Sequence, residues 1–302
     1  MTAMRETTGT LKFLRHGRSC GNDDKVIFQG RGDTCADGSP NGLVEQGRRQ
    51  TRAAGYALGG AGVELTVASS SSMLRAKQSI GEFVYGYEDP SLSPIFDLPN
   101  LEEASHAGWE LIHTRDEVKL LLAAKVETTR EQLRQYGMKP DHDQHLEWVV
   151  QRGEKGEMPL EVALRYLRTI QAYGIYDREI IVAHGMAIRF ATEAGSRLTT
   201  DTREELEHLL TLGTVGKIAV LDVLKKTHAP PFAIANHTSN KLENGEMLEC
   251  TVLEDGRWIP IRRIAPMLPP KDVTLSATTV GRLEQRRVDN SWEVKRYIPA
   301  AA

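Results

Sequence analysis

The chain has 302 residues, a formal net charge of -3 and a pI near 6.3, which excludes a global basic field of the kind that gathers nucleic acid. No apolar run approaches the ~18 residues of a membrane span, and the opening MTAMRETTGTLKFL lacks the apolar core of a secretory signal. Three cysteines, Cys20, Cys35 and Cys250, are odd in number and far apart, which predicts free thiols and a reducing, cytoplasmic setting.

In chain order, Leu11 to Leu14 reads as a strand that runs into Arg15-His16-Gly17. Residues 30 to 42, GRGDTCADGSPNG, are dense in turn formers and predict irregular structure. Leu43 to Leu58 has helical spacing and is closed by Gly59-Gly60. VELTVASS, 63 to 70, reads as a strand and 73 to 87 as a helix. SPIFDLPNL reads as a strand or an extended loop, 109 to 137 as one long helix, and 160 to 173 as another. REIIVAHG, 178 to 185, is a buried strand that ends abruptly at His184-Gly185. Helices follow at 186 to 195 and 201 to 211, and VGKIAVLDVL, 215 to 224, reads as a further strand on its β-branched content.

This alternation predicts an α/β fold over 1–225: a three-layer α/β/α sandwich around a mostly parallel sheet, with a helical insert at about 104–158. After Lys226 the texture changes. THAPPFAIANHTSN is linker-like, LECTVLEDGRWIPIRRI suggests a hairpin around Asp255-Gly256, and GRLEQRRVDNSWEVKRYI suggests a second around Asp289-Asn290-Ser291. Residues 226–302 therefore read as a small β-rich extension, suited to self-association into a homo-oligomer or to covering the sheet edge.

In parallel sheets ligands bind beyond the carboxyl ends of the strands, and both LRHG and AHG sit at such ends. A neutral imidazole at His16 is a competent nucleophile toward phosphorus. It must approach a dianion, so the site needs fixed cations. Arginine suits this best because its planar fork pairs with two phosphate oxygens at once. Arg15 is adjacent, Gly17 permits close backbone approach, and Ser19 and Asn22 are neutral donors. Taken alone, LRHG is as well explained by a strand-end turn. Three further segments add to it: SSMLRA with Arg75 in the first turn of a helix, LEEASHAGWE with Glu102 and Glu103, and IVAHG with His184. Singly, each has a plain reading: a helix-surface arginine, a solvated acidic pair, a core histidine.

In this order the segments resemble the histidine phosphatase superfamily, the phosphoglycerate-mutase-like family. Its opening R-H-G-x-[ST]-x-x-N is matched by Arg15, His16, Gly17, Ser19 and Asn22. Its next segment is matched loosely by Leu43, Gly47 and Gln50, and S-x-L-x-R-A by Ser71, Met73, Arg75 and Ala76. Leu101 and Glu103 match L-x-E, and His184 and Gly185 the terminal H-G; the likeness spans about 10 to 224. The resemblance implies a phosphohistidine on His16, a phosphate pocket of Arg15, Arg75 and His184 with Ser19 and Asn22 as secondary contacts, Glu103 as proton donor, and no metal or cofactor. It implies a small phosphorylated substrate or a phosphoprotein; the charge and the lack of a long apolar run predict no nucleic acid and no membrane as partner.

Several readings stay open at this stage. Glu102 and His106 compete with Glu103 for the proton-donor role. Arg31, in the turn-rich insert, is a candidate substrate contact, although a solvated loop arginine is the plainer reading. KPDHDQH, 139 to 145, has metal-ligand residue types but reads better as a polar interhelical loop. Glycolytic mutases of the family usually read R-H-G-E-S with a paired-arginine segment after the acid. Arg18 stands at that glutamate and no such pair follows Trp109, which favours hydrolysis over a phosphomutase or a non-catalytic phospholigand-binding domain.

Overall fold

A computed structural model describes residues 7–23, 29–89, 91–139, 145–174, 177–227 and 242–265. Strand β1 (Thr7–Arg15) is central in a six-stranded sheet. It is followed by α1 (Cys20–Asp23), α2 (Glu45–Gly60), β2 (Val67–Ser71), α3 (Leu74–Tyr87) and β3 (Ser93–Leu98). Then come α4 (Arg115–Gln135), α5 (Pro159–Tyr173), β4 (Glu179–Ala183), α6 (Gly185–Gly195), α7 (Thr200–Leu210), α8 (Gly213–Lys226), β5 (Met247–Leu253) and β6 (Trp258–Ile264). The strand order is β3-β2-β4-β1-β5-β6. The pairs β3-β2, β2-β4 and β4-β1 are parallel, while β1-β5 and β5-β6 are antiparallel.

Period-two alternation divides the strand side chains between two helical layers. On one face, Leu11, Phe13, Ile181 and Ala183 pack with Leu167 of α5, Phe190 of α6 and Leu221 of α8. On the other, Leu14, Ile180 and Val182 pack with Ala54 and Leu58 of α2 and Ile80 and Phe83 of α3. The fold is therefore the expected α/β/α sandwich. Because β1, β2 and β4 run parallel in adjacent register, their carboxyl ends at Arg15, Ser71 and Ala183 meet at one edge of the sheet.

The structure departs from the sequence expectation in several places. Residues 215–224 form most of helix α8, not a strand. Gly216, Val220, Leu221 and Leu224 are its buried positions, a helical spacing that outweighs the β-branched content. The helix expected over 109–137 starts only at Arg115, where Thr114 and Glu117 form a capping box; a 3-10 turn, Ala107–Trp109, precedes it. The hairpin β5-β6 pairs with β1 and so continues the central sheet, the edge-covering role named above for the extension. Cys20 and Cys35 are joined, with Cα atoms 6.4 Å apart, contrary to the expectation of free thiols. Loop 29–42 folds back on α1, where Cys20 N donates to Gly42 O at 3.0 Å and Gly21 N to Asn41 Oδ1 at 3.1 Å, and this brings together sulfurs 15 positions apart. The hairpin expected around 289–291, the linker-like stretch 228–241 and residues 140–144 of KPDHDQH lie outside the described residues. Among the described residues no helix is long and apolar enough to cross a membrane.

Candidate active site

The loop after β1 carries His16 into the strand-end edge. His16 N donates to Ala183 O of β4 at 2.9 Å, and Gly17 N donates to Ser79 Oγ of α3 at 3.0 Å. The imidazole Nδ1 lies 2.7 Å from Gly17 O. A carbonyl oxygen only accepts, so Nδ1 carries the hydrogen and Nε2 keeps its lone pair. The His184 ring stands 5.1 Å away, centroid to centroid, with Nε2 held by Ser71 Oγ at 2.7 Å. His184 is fully buried, and no group among the described residues bonds its Nδ1.

Two arginines face this pair. Arg15 donates to Leu242 O at 2.5 Å, and its guanidinium lies so close to Gly185 that a Cβ there would meet Nε at 2.8 Å. A side chain at 185 would therefore displace the Arg15 guanidinium. Arg75, buried in the first turn of α3, donates to Gly30 O at 2.9 Å and Gly32 O at 3.2 Å and stands 3.5 Å from Asp33. Burial, reinforced by Arg75 and Arg15, holds the His16 imidazole well below the usual histidine range. His184 is lowered the same way, first by burial and then by Arg75. Both imidazoles are thus neutral, and the fixed positive charge belongs to the arginines.

Glu103 is the carboxylate that the fold brings to the site. Its Oε1 accepts from Ala104 N at 2.9 Å and Ala187 N at 3.0 Å, and Oε2 from Met186 N at 3.3 Å. The side chain therefore caps the amino end of α6, the helix that begins directly after His184. Glu102 turns away to Ser72 Oγ at 2.9 Å. His106 is buried outside the cavity, and its backbone N–H donates to Glu110 Oε1 at 2.6 Å. Arg31 does not line the cavity: it pairs with Glu157 at 2.8 Å and donates to Glu103 O at 3.1 Å, so it braces the acid loop. Arg165 does the same through Glu102 O and Glu103 O.

Arg15, His16, Ser19, Asn22, Arg75 and Glu103 line a cavity of about 340 Å³; Gly185 lines it too, while His184 sits fully buried directly behind it, outside the lining. The carboxylates of KPDHDQH are not described, and His145 is buried elsewhere. Four cavity or supporting residues lacked a sequence signal. Arg115 reaches the cavity from the exposed first turn of α4, and Arg189 from α6, where it pairs with Glu193 at 3.0 Å. Gln29 and Asn41 come from the turn-rich loop. Ser71 belongs to the S-x-L-x-R-A segment, whose pattern gave no hint that it would hold His184.

The histidine phosphatase superfamily (branch 1) model matches residues 11–219. Curated relatives from Brucella ovis and Brucella suis, each named 2,3-bisphosphoglycerate-dependent phosphoglycerate mutase, are 27% identical over 197 residues, 64% of this chain and 84% of theirs. Among solved structures, a mycobacterial glucosyl-3-phosphoglycerate phosphatase with VO3 has a TM-score of 0.53 at 19% identity, covering 84% of this chain and 98% of that one. A phosphoglycerate mutase from Bacillus anthracis has a TM-score of 0.51 at 15% identity, covering 84% and 92%. These structural likenesses carry the fold alone.

Proposed function

Because the chain belongs to the histidine phosphatase superfamily (branch 1), we propose that it hydrolyses phosphate monoesters through a phosphohistidine on His16, with no metal or cofactor taking part. The observation that carries this reading is the bond from His16 Nδ1 to Gly17 O, which leaves Nε2 as a lone-pair donor in a cavity that also holds Arg15 and Arg75. In the first step Nε2 attacks phosphorus, the ester P–O bond breaks, and the departing oxygen takes a proton from Glu103. Oε2 of Glu103 has only one long bond, so it is the oxygen suited to carry that proton. In the second step water attacks phosphorus, its proton returns to Glu103, and the N–P bond breaks. The phosphoryl oxygens gain charge in both steps, which the two arginines and the donors of Asn22 and His184 offset, while Ser19 spends its N–H and O–H on Asn22 Oδ1.

The phosphomutase alternative is favoured by the name of the Brucella relatives and by Arg115, a further cation on the cavity wall suited to a second anionic group of a substrate. Both readings share the phosphohistidine and differ in whether water or a hydroxyl receives the phosphate.

Purified protein is incubated with p-nitrophenyl phosphate from pH 5 to 8, with and without EDTA, beside His16→Ala. Release that survives EDTA and vanishes in the variant is the expected result. Release that needs a divalent metal, or that persists without His16, sinks the mechanism. Phosphate transferred to a sugar-acid hydroxyl in preference to water replaces hydrolysis by the mutase reading. Tight phosphate binding with no turnover of any ester leaves a phospholigand-binding domain.

A further inference from the structure

Asn244 lies just before β5, beyond the last residue that the family match covers, yet it touches the loop that carries His16. β5 runs antiparallel to β1 and pairs Met247 with Leu14, so the residues before it arrive at the site end of the sheet. There they bracket Arg15 and His16. Arg15 N donates to Glu246 O at 3.0 Å, Gly245 N to Arg15 O at 3.1 Å, and Arg15 Nη1 to Leu242 O at 2.5 Å.

The Asn244 amide donates twice from Nδ2, to His16 O and to Asn22 Oδ1, both at 3.0 Å. The His16 carbonyl only accepts, so it fixes which end of Asn244 faces inward. Asn22 Oδ1 also accepts from Ser19 N at 3.1 Å and Ser19 Oγ at 3.3 Å. With three donors converging on its oxygen, the Asn22 carboxamide is held in one orientation. Its own N–H pair is then the end left for the cavity that Asn22 lines, while Asn244 itself does not line it.

We infer that Asn244 is a positioning residue that aims the Asn22 amide donors at the substrate phosphate and acts only through Asn22 and the His16 carbonyl. The inference rests on the reading of the cavity as a phosphate site. It also means that the stretch 242–246, outside the family match, completes the pocket.

The test measures inorganic phosphate binding by calorimetry for the full chain, Asn22→Ala, Asn244→Ala, Asn244→Asp and the double alanine variant, with thermal melts as folding controls. Loss of one charge-assisted hydrogen bond predicts about 10-fold weaker binding for Asn244→Ala. In the Asn22→Ala background the same change is expected to add less than about two-fold, because the two residues act as one unit. Asn244→Asp keeps the shape but sets acceptor against acceptor. Its deficit relative to the parent is expected to shrink between pH 7 and pH 5, as the new carboxyl takes up a proton and donates again. Parent-like binding by both Asn244 variants, or equal and additive losses in the two backgrounds, overturns the inference while leaving the phosphate site standing. A parent chain that binds no phosphate overturns the site reading itself, and the inference with it.

Discussion

The carboxylate of Glu103 accepts the N–H of Ala187 at 3.0 Å, which ties the proton-donor candidate to the helix that begins directly after His184. One interaction thus sets the spacing between acid and phosphate pocket, because α6 cannot shift without moving both.

Glu103→Gln keeps an acceptor oxygen for those N–H groups but removes the exchangeable proton. We expect kcat to fall by about 10²-fold or more, a magnitude typical for loss of general acid catalysis. Inorganic phosphate affinity is expected to stay within about two-fold and the melting temperature within a few degrees. Steady-state kinetics with an alkyl phosphate checks this, since its poor leaving group needs the proton most. An unchanged kcat on that substrate removes Glu103 from the chemistry and reopens Glu102.

Gly17 and Gly47 interlock. A Cβ on Gly17 would meet Gly47 O at 2.2 Å, and a Cβ on Gly47 would meet Arg18 O at 2.0 Å. The first turn of α2 is thus pressed against the backbone of the His16 loop, and both obstacles are main chain that cannot swing aside. Gly47→Ala should cost about 1–3 kcal/mol of stability, as overpacking does. It should also push His16 out of line and lower kcat/KM by about 10²-fold, the order expected for a 1 Å misplacement. Denaturant titration and kinetics on the same preparation test the pair of effects. A variant that loses stability but keeps full activity shows that the loop is not held by this contact.

The legible parts of this fold were those where local pattern and tertiary environment agree. IIVA is apolar because both faces of β4 are covered, and the strand ends at His184, whose ring stands 5.1 Å from that of His16. Arg75 was legible because its position in the first turn of α3 is local. Helix α8 was misread because Val215, Val220 and Val223 favour strands, while the neighbours that make 216, 220, 221 and 224 a buried stripe come from elsewhere in the chain. Glu103 was preferred to Glu102 only through the L-x-E spacing of the family; the physical reason was not legible, since it depends on the amino end of α6, more than 80 positions downstream. The same holds for Asn244, whose partners are more than 220 positions away.

The link between Cys20 and Cys35 closes a loop of 15 positions, for which chain entropy predicts about 3 kcal/mol of stabilisation. That loop also presents Gly30 O and Gly32 O to Arg75, so its opening should raise KM as well as lower the melting temperature. Thiol titration of the unreduced, denatured chain should find one reactive thiol, Cys250, rising to three after reduction. In the native chain Cys250 should be silent, because burial raises its thiol to about 12. Three reactive thiols without reductant would show that the link does not form.

The buried imidazoles set the pH response. His16, His106 and His184 are all lowered chiefly by burial, so each takes up its proton on unfolding when the pH lies below about 6.5. The unfolded chain then binds more protons than the folded one. Stability is therefore full above that pH and falls as pH drops, by up to about 1.4 kcal/mol per pH unit for each imidazole. Glu179 works in the opposite direction: burial raises its carboxyl to about 7, so its folded form binds the extra proton and offsets part of the loss. Urea titrations from pH 7.5 to 5.5 should show stability declining toward acid, with a shallower slope in His106→Asn and a steeper one in Glu179→Gln. Because His16 stays neutral across this range, kcat/KM should show no acid limb with a midpoint near 6.5. An acid limb with a midpoint near 6.5 would mean that the nucleophile titrates as an exposed histidine and that the arginine-lined burial described for it is wrong.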